Sequence, residues 1–429
     1  MQLEIRGAAK ETWLWLWAAA AGTAAACCTV AFRGLIQAIE WLATGHSGGL
    51  VEVARALTPL QRIAVATLGG LLAGATLEFG TWWARSSVAG ATHIDYIDAA
   101  RRGQASLNDR TTLSRSVSAL LSVGTGASIG REGPMVQLSA WLASWLARWS
   151  RLGPEHSSAI LACGIAAGIG SAYHAPIAGV VFVLELALGF FPGQTVAPVL
   201  IAASTASALI YWFVAPTPLY VMPVTRLSSG NVEVALALGL LCGMAGWLVL
   251  ALLERSRRLF ALVAASTLRL GLGGLLVGAI SAFVPEIWGN GYSVVSQVLQ
   301  GGEAWPWVAL ILGLKVAATL LSAGSGALGG IFTPTLFMGA TLGYVIAAVG
   351  ALWFPVDWIG DPRVMAVIGM AAILAAVTHA PLMAIVMVLE MTSQYQLAVP
   401  VMLACGAAYA TSTHFRTKPI YGNPIEGRR

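Results

Sequence analysis

Apolar residues run in long stretches along nearly the whole chain, and polar residues are confined to the gaps between them. The clearest stretches are 13–43, 60–77, 158–173, 195–215, 232–253, 307–323, 335–354 and 363–378. A run of about 20 apolar residues crosses a bilayer as a helix. No interval between them is long and polar enough for a separate soluble domain. Several runs are short or broken by Gly and Pro, which predicts about ten to fourteen helices of mixed length, some of them re-entrant. The expected fold class is an all-α polytopic membrane protein: one membrane domain over 1–429, embedded in a lipid bilayer.

Composition sharpens this picture. Of 429 residues, 57% are hydrophobic and 10% charged, against roughly 25% charged in an average soluble domain. The 48 glycines fit close helix packing in lipid. The formal net charge is +5, and the basic residues cluster at segment ends: Arg101/Arg102, Arg148/Arg151, Arg255/Arg257/Arg258, Arg416/Lys418 and Arg428/Arg429. Such clusters face the cytoplasm and set topology; with no soluble basic surface, a nucleic-acid partner is not expected. The five cysteines lie within apolar runs at no metal-binding spacing, and read as packing residues. Arg6 and Lys10 precede an apolar run longer than a signal peptide's core, so it reads as the first membrane helix. Trp141, Trp145 and Trp149 on one helix face, and Trp13, Trp15, Trp17, Trp305 and Trp307 at segment ends, read as interface anchors.

An internal repeat organises the chain. "HAPIAGVVFVLEL" at 174–186 and "HAPLMAIVMVLEM" at 379–391 share His, Ala, Pro, two valines, Leu and Glu in register. Upstream of each lies a glycine-rich break ending in proline, "GREGP" at 130–134 and "GIFTP" at 330–334. The repeats are offset by 205 residues and the breaks by 200, which predicts two halves, 13–221 and 232–412, with a short tail over 413–429. Gly/Pro-interrupted segments at matching places in two halves point to the binding site of a transporter or channel.

Each break precedes an apolar, helix-compatible run, and proline is tolerated in the first turn because its missing N–H would be unpaired there. Both breaks therefore read as helix N-termini. Inside a membrane, each offers unpaired backbone N–H groups and the positive end of a helix dipole, worth about 0.3–1 kcal/mol at a surface and up to ~2 kcal/mol when partly buried. Two such termini converging make an anion site without a full positive charge, which an ion can leave as well as enter. Glu132 stands at one of them. Ionised, it can occupy the anion's place; protonated, it loses its charge and can swing away. A capping carboxylate is the alternative, but a membrane break in so charge-poor a chain favours a proton-sensing gate.

At these residues the chain resembles the CLC family of chloride channels and chloride/proton antiporters, closest to its bacterial ClcB-like branch. "GREGP", "GIFTP", both HAP segments and "KPIY" at 418–421 look like family segments in the family order. The resemblance implies a homodimer of two independent pores in the bacterial inner membrane, each subunit an inverted repeat of tilted, partly spanning helices. It further implies chloride as the permeant ligand, protons as a second partner and no cofactor. Carried over residue by residue, Glu132 is the gating glutamate. Backbone N–H groups near Arg131 and Gly133 serve an outer anion position; those of Ile331 and Phe332, with the Tyr421 hydroxyl, serve a central one. The short tail after residue 412 leads us to expect no C-terminal regulatory domains.

Two departures bear on mechanism. Where the family carries a serine whose hydroxyl binds the central anion, this chain reads "GATHIDY" at 90–96, which puts Ala91 at that position, or Thr92 after a small shift. Many antiporters carry paired glutamates where this chain has Glu185 followed by Leu186. Glu185 then reads as structural, and the missing second acid favours channel-like or weakly proton-coupled conduction over tight antiport. A fluoride-exporting relative is disfavoured because the GREGP and tyrosine regions are intact.

Other residues are weighed and set aside. His174 and His379 read as hydrogen-bonding residues at helix entries, Glu390 as a hydrogen-bonded buried carboxylate, and Lys315 as a side chain that snorkels to the interface. An intramembrane serine hydrolase built on Ser325 and His379 is a remote alternative, because no nucleophile motif surrounds them and the repeat would go unexplained. No enzyme activity is expected.

Overall fold

The computed structural model describes residues 2–85, 95–189, 193–214, 217–223, 231–415 and 418–421. Among the described residues the chain folds into eighteen α-helical segments and no β-strand. The first half comprises α1 (Gln2–Thr44), α2 (Leu50–Ala56), α3 (Pro59–Arg85), α4 (Tyr96–Arg101), α5 (Asp109–Gly124), α6 (Glu132–Ser150), α7 (Pro154–Tyr173), α8 (Pro176–Phe182) and α9 (Gly193–Phe213). The second comprises α10 (Asn231–Phe260), α11 (Ser266–Phe283), α12 (Tyr292–Gln300), α13 (Trp305–Gly324), α14 (Phe332–Gly350), α15 (Val356–Ile359), α16 (Pro362–Thr378), α17 (Pro381–Thr392) and α18 (Ala398–His414). The expected ten to fourteen helices fall short because Gly and Pro divide several runs into short pieces, α2, α4, α8 and α15 among them.

Among the described residues, seven helices are long and apolar enough to cross a membrane, lying in α1, α3, α9, α10, α11, α13 and α14. The stretches at 158–173 and 363–378, in α7 and α16, are not among these seven and are enclosed by protein. Every residue of Ala159–Tyr173 in α7 and of Val364–Thr378 in α16 is buried. A helix apolar on all sides belongs in a protein interior, and these two form the core around which the lipid-facing helices pack. Small residues permit the close approach: Gly339 of α14 and Gly369 of α16 face one another so tightly that a Cβ on either would strike the other's carbonyl.

The HAP repeats take the same backbone path. His174 and His379 close α7 and α16 in the left-handed conformation, both at φ 56°, and Pro176 and Pro381 open the next helices. The histidines thus end one helix rather than enter the next. Their rings lie 3.3 Å from the Thr217 carbonyl (Nδ1) and from the Ser412 hydroxyl (Nε2), respectively.

The two glutamates of the repeat cap each other's helices. Glu185 accepts hydrogen bonds from the N–H groups of Leu382 (3.2 Å) and Met383 (2.6 Å) at the start of α17. Glu390 accepts from Ile177 (3.1 Å) and Ala178 (2.7 Å) at the start of α8. Each carboxylate satisfies two orphan donors and meets a positive dipole end, so the halves are stitched together by a reciprocal exchange.

The tryptophan ladder on α6 is also more than an interface belt. The indole N–H groups of Trp141 (2.7 Å) and Trp145 (3.0 Å) both donate to Asp109 Oδ1 at the start of α5, while Trp149 is exposed. Among the cysteines, Cys163, Cys242 and Cys405 are buried as packing residues, whereas Cys27 is exposed.

Candidate anion pathway

The two glycine-proline breaks meet. Gly130 N–H donates to the Gly330 carbonyl and Gly330 N–H to the Gly130 carbonyl, both at 2.7 Å, in an isolated antiparallel bridge. Immediately after it, α6 starts at Glu132 and α14 at Phe332, capped by Arg131 and Ile331. The first N–H groups of a helix have no partner within it, and Pro134 and Pro334, third in their helices, supply none. Two sets of backbone donors therefore start from one point. Gly133 leaves little room for a side chain: a Cβ there would lie 3.2 Å from the Gly330 nitrogen, tighter than an ordinary contact.

Glu132 is 5% exposed. Its Oε1 accepts a hydrogen bond from Asn290 Nδ2 at 2.8 Å. Its Oε2 is buried and has no hydrogen-bond partner among the described residues. That oxygen lies against Gly130 so closely that a methyl group there would collide with it. A buried carboxylate oxygen without a donor is costly, and it stands at the junction of the two helix starts.

Cavities approach this junction on both flanks of the glutamate. One of about 470 Å³ is lined by Gly133, Gly330, Ile331 and Tyr421, with Arg115, Arg257 and Arg269 also among its lining residues. The other, about 150 Å³, is lined by Arg131, Asn290, Glu40 and Tyr292. Arg131 faces one and Gly133 the other, with Glu132 between them.

Of the residues singled out in the sequence, Arg131, Glu132, Gly133, Ile331 and Phe332 are brought together by the glycine bridge. Phe332 packs its ring 5.2 Å from that of Tyr173, whose hydroxyl lies 3.3 Å from Thr333 Oγ1. Tyr421 joins through the larger cavity, and its place is fixed by Arg101 of α4. The guanidinium donates to the Tyr421 carbonyl (2.8 Å) and to the Leu186 carbonyl (3.0 Å). Burial lowers the Arg101 pKa from its ordinary value, against the charges of Asp98 and Asp95, which raise it. Leu186 itself is buried. Ala91 and Thr92 lie outside the described residues.

Other expectations are corrected. Lys315 does not snorkel: it is fully buried, and its ammonium donates to the carbonyls of Ile287 (2.7 Å) and Gly289 (2.6 Å). Ser325 and His379 form no nucleophile–base pair, since Ser325 Oγ donates to the Ser322 carbonyl and the His379 ring lies against Ser412. Asn290 escaped the sequence reading altogether. Its one signal was the "GNGY" stretch, which marks a turn and says nothing of a partner 158 residues away.

A helical membrane domain whose broken helices meet start to start, with cavities on both flanks of the junction, has the architecture of a class: transport proteins built around interrupted helices. The family follows from comparison. The chain matches the voltage gated chloride channel model over residues 69–413, and it belongs to that family, the CLC chloride channels and antiporters, which is not an enzyme family. It is 46% identical to the chloride channel protein ClcB-like of Ralstonia nicotianae, over 95% of each chain. It is 37% identical to the voltage-gated ClC-type chloride channel ClcB of Escherichia coli, over 93% of this chain and 96% of that one. Among solved structures, a slow cyanobacterial Cl⁻/H⁺ antiporter superposes with a TM-score of 0.83 at 24% identity, over 95% of this chain and 96% of that one. A CLC-type fluoride/proton antiporter superposes at 0.71 and 24% identity, over 94% and 96%. The fold is the CLC fold.

Proposed function

We propose that this protein passes chloride through the junction of α6 and α14 and that Glu132 is the gate. The observation that supports this best is the buried Glu132 carboxylate lodged between two cavities, at paired helix starts built to receive an anion. Ionised, it holds the place a chloride ion needs and is kept there by Asn290 and the dipole of its own helix. Protonation removes the charge, weakens both attractions, and frees the side chain to leave the junction to chloride. In the vacated path, backbone N–H groups at Arg131 and Gly133 receive the ion on one side. Those of Ile331 and Phe332, with the Tyr421 hydroxyl, receive it on the other. At the junction itself the receiving groups are dipoles rather than a fixed cation, which keeps binding weak enough for release.

Leu186 stands where many family antiporters carry a second acid, so conduction is channel-like or weakly proton-coupled. The assembly is a homodimer in the bacterial inner membrane, with a pore in each subunit. The test is a liposome assay on purified protein that records chloride efflux and proton uptake together. Chloride efflux with little or no proton movement is expected; a fixed proton-to-chloride ratio makes the protein a tightly coupled antiporter, and absence of chloride flux overturns the reading.

A further inference from the structure

Asn290 reaches Glu132 from a segment that the chain holds in an unusual way. Between α11 and α12, residues 284–291 run through a short 3-10 turn at Pro285–Ile287, an extended Trp288 and two left-handed glycines, Gly289 (φ 69°) and Gly291 (φ 90°). A segment with so little regular structure has few hydrogen bonds of its own to fix it. Two things do. The Trp288 indole is 1% exposed and packs on Gly126, where any side chain would collide with it. Lys315, from the middle of α13, drives its ammonium beneath the segment and donates to the Ile287 and Gly289 carbonyls, with the Trp288 carbonyl 3.5 Å away.

Lys315 is fully buried and forms no ion pair among the described residues. Burying an ammonium without a counter-ion is expensive. A leucine would fill the site at no such cost, so the charge calls for an explanation. Its donors end on carbonyls just before Asn290 in the chain, that of Gly289 being the adjacent one. The Asn290 amide is in turn oriented from both ends: Oδ1 accepts from the Tyr292 N–H at 3.2 Å, which leaves Nδ2 to face Glu132.

We propose that Lys315 is a positioning residue for the gate: by clamping the Ile287 and Gly289 carbonyls it sets where Asn290 stands, and Asn290 is the latch that holds the ionised Glu132 in the junction. This rests on reading Glu132 as the gate. The latch favours the charged form, because Nδ2 donates to a carboxylate oxygen; removing it must let the carboxylate take up its proton at higher pH. Among the described residues, the other charged or titratable groups that interact with Glu132 include Arg33 on α1, Tyr173 on α7, Tyr220 and Tyr421, with Arg131 adjacent in the chain, and Glu40 of α1 and Tyr292 line the cavity that Arg131 and Asn290 share. None of them is altered by the substitutions below.

The experiment is chloride efflux from liposomes as a function of pH. Asn290→Ala is expected to shift the midpoint of activation upward by about one pH unit, the size of one hydrogen bond to a charged group. Lys315→Met is expected to shift it in the same direction, Lys315→Arg to restore part of the loss, and the Asn290→Ala, Lys315→Met double variant to go no further than the larger single shift. A Lys315 that only supports the fold would lower the yield and thermal midpoint yet leave the pH midpoint in place, and that result overturns the clamp. If Lys315→Met does not fold, Lys315→Gln decides in the same way: a moved midpoint supports the clamp and an unmoved one overturns it. Glu132→Gln separates the two readings. If it leaves the pH dependence intact, the gate assignment itself fails; if it abolishes the dependence while Asn290→Ala leaves the midpoint unmoved, the latch alone fails.

Discussion

Gly130 and Gly330, 200 residues apart in the chain, exchange both of their backbone hydrogen bonds at 2.7 Å. That single bridge pins the starts of α6 and α14 to each other. The carboxylate of Glu132 lies buried at their junction, against Gly130.

Replacing Glu132 by Gln or Ala removes the titrating group from that junction. Chloride efflux should persist in both variants and lose the pH dependence imposed by the gate. Liposome efflux measured across the acid-to-neutral range checks this, and a wild-type pH profile in either variant removes Glu132 from the role.

Tyr421→Phe deletes one hydroxyl donor at the larger cavity without altering shape. Loss of one ordinary hydrogen bond, about 1 kcal/mol, corresponds to chloride binding weaker by about fivefold. Calorimetry on purified protein reads it, with the thermal midpoint expected to stay put. Unchanged affinity would take Tyr421 out of the anion path.

Arg101 supports Tyr421 through its backbone carbonyl and ties it to Leu186. Arg101→Met should therefore weaken chloride binding by about two- to fivefold. Combined with Tyr421→Phe it should add little, because both act on the same hydroxyl. Fully additive effects in the double variant would show that Arg101 acts elsewhere.

The exchanged caps of Glu185 and Glu390 predict symmetrical losses of stability. Glu185→Ala and Glu390→Ala each leave two helix-start N–H groups without their acceptor, at a cost of about 2–4 kcal/mol, and the Gln variants, which keep one acceptor oxygen, about half of that. Thermal unfolding in detergent measures the change. A large loss in one alanine variant with none in the other would contradict the reciprocal arrangement.

Much of the candidate site is legible in the sequence. "GREGP" and "GIFTP" announce helix starts because glycine and proline have local consequences for the backbone, and Glu132 is conspicuous in a chain so poor in charge. The sequence misleads at Lys315 for the same reason that the residue stands out in the structure. A lone lysine in an apolar helix has snorkelling as its default, and only the carbonyls of a distant segment make burial tolerable. The Trp141 and Trp145 pair was assigned to the membrane interface because their shared acceptor, Asp109, lies more than 30 residues away.

The sequence by itself determined what depends on local pattern: apolar runs long enough to span or fill a membrane domain, the places where those runs break, and the repeat that makes the two halves alike. Tertiary structure alone decided which donors meet which acceptors. It joined Gly130 to Gly330, exchanged the glutamate caps between halves, and brought Asn290 to Glu132 and Lys315 to the segment that carries Asn290. The physical reason is one of range. Burial and helix starts follow from neighbours a turn or two away, whereas a hydrogen bond between distant residues exists only after packing has set both partners within 3 Å of each other.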